Sequence, residues 1–110
     1  MDKFGLYGGS EISVEWHLSK MDGSIKDIFN EIRNYVLSLG PNVIEEVRPH
    51  RIVYAKSFNF RTFLDIQPSN DRLMVELRSG YCVTPLSIVV SSREQLNELT
   101  NLIQKAYSKI

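Results

Sequence analysis

Residues 38–78, SLGPNVIEEVRPHRIVYAKSFNFRTFLDIQPSNDRLMVELR, decide the fold. The stretch begins with a helix stop, Leu39-Gly40-Pro41. Glycine offers a left-handed residue just past a helix, and proline blocks continuation. Four apolar segments follow, at 42–47, 51–56, 58–67 and 72–78. Within them apolar side chains recur with period two, the spacing of a strand with one buried face. Arg48-Pro49-His50, Ser57 and Pro68-Ser69-Asn70-Asp71 separate the segments. The pattern predicts a helix feeding an antiparallel meander.

Before the stop, residues 24–39 predict a helix. Ser24 is the expected cap, and Asp27, three residues on, is the acidic member of a capping box. Ile25, Ile28, Phe29, Ile32, Val36 and Leu39 form its apolar stripe. After the meander, residues 84–90 predict a fifth strand. Ser91 or Ser92 then caps a last helix, with Gln95 three residues beyond Ser92. Its stripe is Leu96, Leu99, Ile103, Ala106 and Ile110. Residues 10–21 satisfy a strand through Ile12, Val14, Trp16 and Leu18, and a short helix through Val14, Leu18 and Met21. Residues 1–10, with Gly5, Gly8 and Gly9, read as a flexible arm. Residues 11–110 read as one domain.

The expected class is α+β, a two-layer sandwich. An antiparallel meander of about five strands carries two long helices on one face. Alternation puts Phe58, Phe60, Thr62, Leu64 and Ile66 of the third strand on the covered face. Leu73, Val75 and Leu77 join them, with Leu86, Ile88 and Val90. The open face then carries Val53, Ala55, Arg61, Phe63, Asp65, Met74, Glu76, Arg78 and Val89.

Composition excludes several function classes. The 110 residues hold 13 basic and 13 acidic side chains, so no global basic field marks a nucleic-acid binder. A nucleic-acid surface would have to be local. The single cysteine, Cys82, allows no disulfide within the chain and fits a reducing compartment. No apolar run approaches the roughly 20 residues that span a bilayer. A soluble, cytoplasmic protein with no membrane partner is the expectation.

The ordered set Glu15-Trp16-His17-Leu18, Leu39-Gly40-Pro41-Asn42-Val43, Ile52-Val53-Tyr54, Asn59-Phe60, Ile66-Gln67-Pro68 and Leu73 through Arg78 resembles a known family. So does the closing Leu102-Ile103-Gln104-Lys105-Ala106-Tyr107. The family is a small α+β domain of unknown function in bacteria and archaea, some of whose members are labelled "predicted transport protein". The resemblance implies a helix rather than a strand near residues 14–20, and a stand-alone accessory module. It carries no activity.

Among chemical constellations, Asp65 with Glu76-Leu77-Arg78 is the sharpest. A carboxylate followed by acid-x-base resembles metal-dependent nucleases, in which two acids hold a divalent ion. Arginine stands where such enzymes use lysine, and it does not give up its proton. If Gln67 pairs with Arg72, Asp65 faces Met74, Glu76 faces Phe63 and Arg61 faces Arg78. Two facing arginines suit an anion between them, with Phe63 stacking on a base. His17 and His50 lack a second ligand at metal spacing, and Trp16 is expected to anchor the N-terminal segment on the core. No metal site, cofactor or catalytic set is implied. The expected function is non-catalytic binding through the open face. Arg61, Phe63, Asp65, Met74, Glu76 and Arg78 are the candidate residues. The partner classes are another protein, a like subunit, or an anionic ligand such as nucleic acid. The alternative is a nuclease-like enzyme using Asp65, Glu76 and Arg78.

Overall fold

One-sided strands need a cover, because each large apolar side chain left in water forfeits about 1.5–3 kcal/mol. A computed structural model of the chain describes residues 12–57, 61–79 and 84–110 and shows how that cover is supplied. The short helix α1 (Val14–Leu18) precedes the long helix α2 (Gly23–Ser38). Strands β1 (Val43–Val47), β2 (Ile52–Lys56), β3 (Arg61–Pro68), β4 (Leu73–Leu77) and β5 (Leu86–Val90) follow, then a 3₁₀ turn (Arg93–Gln95) and α3 (Leu96–Lys109). The strands form one sheet in chain order, every neighbour antiparallel. This is the α+β meander with helices packed on it that the alternation predicts.

The core lies between that sheet and the helices. Ile52, Tyr54, Leu64, Ile66, Leu73, Val75, Leu77 and Val90 supply the sheet side. Ile25, Ile28, Phe29, Ile32 and Val36 of α2 and Leu99, Ile103 and Ala106 of α3 supply the other. Leu86 is on the covered side by register, opposite Leu77, yet lies on the edge strand and stays exposed.

The helix ends divide into one expectation met and two corrected. Ser92 caps the C-terminal helical segment with a full capping box: Glu94 N–H donates to Ser92 Oγ at 3.3 Å, and Ser92 N–H to Gln95 Oε1 at 3.2 Å. At α2 the cap falls two residues earlier than expected. Asp22 is the cap position, without a side-chain capping bond, so Ser24 lies inside the helix. Gly40 is not left-handed either. Its place is kept small by Tyr107, whose hydroxyl would be 2.9 Å from an added Cβ. Ser92→Ala is expected to cost about 1 kcal/mol in urea denaturation, whereas Ser24→Ala should be neutral within about 0.5 kcal/mol.

Two register features move side chains from their expected places. The β3–β4 loop is Asn70-Asp71, closed by Ser69 N–H donating to the Arg72 carbonyl at 2.8 Å. Pro68 therefore faces Leu73, at a pair that needs no proline N–H. This sets Asp65 opposite Glu76, not Met74, and Gln67 opposite Met74. The shift is two residues, so faces are conserved while neighbours change.

The second feature is a β-bulge. Tyr54 faces Leu64, but the next residue, Ala55, faces Thr62, leaving Phe63 extra. Phe63 is thereby turned into the core. It is fully buried and meets Tyr107 of α3 edge-on, with ring centroids 5.3 Å apart. The open-face position expected for Phe63 is wrong, and so is the covered position expected for Thr62. One inserted residue reverses the alternation on its N-terminal side.

Of the ambiguous segment, α1 is the helix. Ser13 caps it, accepting from Trp16 N–H at 3.3 Å. Trp16 does not anchor the segment, being 39% exposed; Val14, His17 and Met21 do. His17 Nε2 donates to the Arg48 carbonyl at 2.7 Å, and Asp22 N–H to the Asn70 carbonyl at 2.7 Å. The helical corner is thus stitched to both hairpin turns. The arm at residues 1–10, Phe58, Phe60 and Cys82 lie outside the described residues. No helix among the described residues is long and apolar enough to cross a membrane.

Candidate functional site

On the face away from the helices, Val53 and Asp65 are cross-strand partners at the centre of the sheet. Arg51 stands two residues before Val53, and period two gives it the same face. Arg78 stands two residues after Glu76 for the same reason. Arg48 comes from the β1–β2 turn, where Arg48 N–H donates to the Arg51 carbonyl at 2.8 Å and leaves Pro49-His50 as the loop. The bulge brings Thr62 to this face. Together with Arg61 and Ile110, these residues line a cleft of about 340 Å³.

The cleft is rich in arginine. Among the described residues, four arginines and the Asp65 carboxylate line it. Acids hold Arg51, Arg78 and Arg48 in place. Arg51 Nη1 donates to Asp65 Oδ2 at 2.8 Å, Arg78 Nη2 to Glu76 Oε1 at 2.7 Å, and Arg48 Nε to Glu46 Oε1 at 2.9 Å. A guanidinium carries five N–H donors, so one carboxylate does not exhaust it. The acids orient the forks and leave donors for a ligand.

Asp65 is the unusual member. It is only 6% exposed, and its Oδ1 is buried with no hydrogen-bond partner among the described residues. A buried acceptor without a donor costs about 1–3 kcal/mol, so such an atom asks for an explanation.

Of the candidate residues, the structure brings Arg61, Asp65 and Arg78 together, with Glu76 holding Arg78. Met74 lies farther along the sheet, opposite Val89, and both are exposed. With Phe63 in the core, the apolar open-face patch shrinks to little more than that pair. The sequence shows Arg48 and Arg51 with Lys56 and Arg61 as a basic stretch without acids, interleaved with aromatics as in some single-strand binders, but the candidate set included neither Arg48, Arg51 nor Thr62. The signal for the arginines was their spacing around a two-residue loop, which sets both at the mouth of one hairpin. Thr62 had no signal apart from the bulge. Lys56, of the same basic stretch, goes elsewhere: its Nζ lies 4.2 Å from the centroid of the Tyr107 ring.

The helix side of the sheet holds a separate polar cluster. Arg33 of α2 forks onto Glu45, Nε to Oε2 at 2.7 Å and Nη2 to Oε1 at 2.9 Å. The buried Tyr54 hydroxyl donates to the same Oε2 at 2.7 Å. Burial pushes Glu45 toward its neutral form, but the bonds from Arg33 and Tyr54 outweigh it and hold the carboxyl below its ordinary range. Burial, then the bond to Glu45, drives the Tyr54 hydroxyl far above the ordinary tyrosine value. Arg33 is raised, chiefly by its bond to Glu45. Every member is satisfied, and the cluster pins β1 and β2 to α2. It supplies the partner that a buried Tyr54 hydroxyl demands.

A hollow of about 390 Å³ at the stitched corner brings His17 and His50 together, beside Trp16, Lys20 and Asn70. Lys20 Nζ lies 3.6 Å from the Trp16 ring centroid, and His17 is committed to the Arg48 carbonyl. Among the described residues no three His, Cys, Asp or Glu side chains come together as a metal set. Comparison of the chain with protein-family models, curated proteins and solved structures found no match.

Proposed function

We propose that the protein is a non-catalytic binding module that takes an anionic ligand on its open sheet face, in the arginine cleft. The convergence of Arg48, Arg51, Arg61 and Arg78 on one hollow supports this reading most. Guanidinium forks match phosphate and carboxylate oxygens, and paired acids reduce the freedom lost when a ligand binds. The cleft falls at the small end of ligand-site volumes. No aromatic side chain among the described residues lines it, which favours an anionic group over stacked bases.

The direct test is an NMR titration of the arginine Nε–H signals at low ionic strength. The probes are inorganic phosphate, sulfate and a single-stranded oligonucleotide. At least one should shift the signals of Arg51, Arg61 and Arg78, and the shift should fade with added salt. The combined Arg61→Ala and Arg78→Ala variant should bind at least about tenfold more weakly. If no anion moves these signals, the reading fails.

The nuclease-like alternative draws on one observation, that Asp65 and Glu76 are direct cross-strand partners. Each is bonded to an arginine, so a divalent ion would have to displace both cations. A Mn²⁺ titration that broadens the signals of both carboxylates would revive it.

A further inference from the structure

The arginine cleft does not stand alone on the open face. A second hollow, of about 250 Å³, lies beside it. The two have Arg48, Val53 and Thr62 in common, so they form one trough. Pairing places its second end across three strands: Ile44 faces Ala55, and Ala55 faces Thr62. Val53 is nearly buried and lies deepest, while Ile44, Ala55 and Thr62 are half-buried around it. Glu46 and Arg48 complete the lining, both exposed and bonded to each other. This end of the trough is therefore made mainly of methyl-bearing side chains. The opposite direction is different. Toward β4 and β5 the hollow is only about 70 Å³, and Asp65, Gln67 and Glu76 help to line it.

We infer that the trough takes a small amphipathic oxyanion, with a carboxylate or phosphate head among the arginines and a short linear apolar tail over Ile44, Val53 and Ala55. This rests on the anion-binding reading above and names its ligand class. A bare inorganic anion fills only the arginine end and leaves the apolar end in water. A tail displaces that water, and each methylene it buries adds roughly two- to fourfold in affinity. From Val53 to Ala55 the strand advances about 6.6 Å, which matches a tail of about five carbons. β2 ends at Lys56, one residue further on. A nucleic-acid backbone carries a charge at every phosphate and has no apolar segment to lay on this end. The arginines thus attract oxyanions in general, and the methyl-lined end favours those that bring a tail.

Calorimetric titration of the wild-type protein at matched pH and ionic strength tests this without any variant. It compares hexanoate with acetate, and hexyl phosphate with inorganic phosphate. In at least one pair the tailed anion should bind at least about tenfold more tightly. The pair that shows the gain identifies the head as carboxylate or phosphate. The methyl NMR signals of Ile44, Val53 and Ala55 should move further with the tailed anion than with its short counterpart. Equal affinities within both pairs would overturn the tail while leaving an anion site in place. A gain without movement of those methyls would overturn its placement. Silence from all four probes would remove the anion-binding reading itself. Ala55→Gln sets a polar group in the path of the tail, so the gain should fall to about twofold or less. A variant that still melts cooperatively and keeps the full gain would show that the tail lies elsewhere.

Discussion

Phe63→Ala is expected to destabilise the protein by about 3–5 kcal/mol, a large fraction of the stability of a small domain. The ring is fully buried, and its loss opens a cavity beneath Tyr107 that the bulged backbone cannot readily collapse to fill. Met74→Ala, on the open face, should change stability by no more than about 0.5 kcal/mol. Urea denaturation of the two variants decides the matter. On strict alternation both residues share the open face and the two effects would be alike. Comparable small losses would mean that Phe63 is outside the core.

Glu45→Ala is expected to cost roughly 2–3 kcal/mol, since it leaves the Tyr54 hydroxyl without an acceptor and Arg33 without its fork. The figure lies below that for a fully buried pair because the Arg33 side chain is 31% exposed and water can replace part of what it loses. The cluster also sets a pH dependence. The folded Glu45 carboxyl titrates below its unfolded value, so its contribution is present above the unfolded value and is lost as pH falls through the folded one. The stability gap between wild type and Glu45→Gln should be constant near neutrality and close in acid. Tyr54 runs the other way. Its folded value is raised, so its contribution is present below the ordinary tyrosine value and is lost only in strong alkali. Wild type and Tyr54→Phe should therefore develop the same tyrosinate absorbance until the protein unfolds. An extra tyrosine ionising in the folded wild type would show that Tyr54 is not held neutral.

The bulge and the hairpin register show where reading the chain reached its limit. Phe63-Leu64 is an apolar doublet inside an alternating strand. Either ring or isobutyl group can be assigned inward with equal economy, and only the room under α3 decides that both go inward. The β3–β4 turn contains four good turn residues in a row. Choosing Asn70-Asp71 as the two-residue loop moves every pairing by two positions without changing a face. The face of Asp65 and Glu76 was thus legible while their contact was not. The arginine cleft was half legible. Arg78 follows from its charge on the open side, whereas Arg61 lies beyond the bulge, where the alternation is reversed, and its place in the cleft beside Ile110 was not legible. Arg51 depends on the register that brings Asp65 within reach, whereas the acid of Arg48, Glu46, is two residues earlier in the chain.

By itself the sequence determined the element order from residue 24 onward, the antiparallel meander, the helix stripes, a serine cap at Ser91 or Ser92 and most of the covered face. These depend on local periodicity and on turn and capping chemistry, which act over a few residues and are written in the residues themselves. The tertiary structure alone decided that Phe63 belongs to the core, that Thr62 does not, that Asp65 meets Arg51 and Glu76, and that four arginines share one cleft. Those outcomes depend on one inserted residue and one hairpin register. Both are set by how whole strands fit between the helices and each other, a balance of packing that no short window of sequence contains.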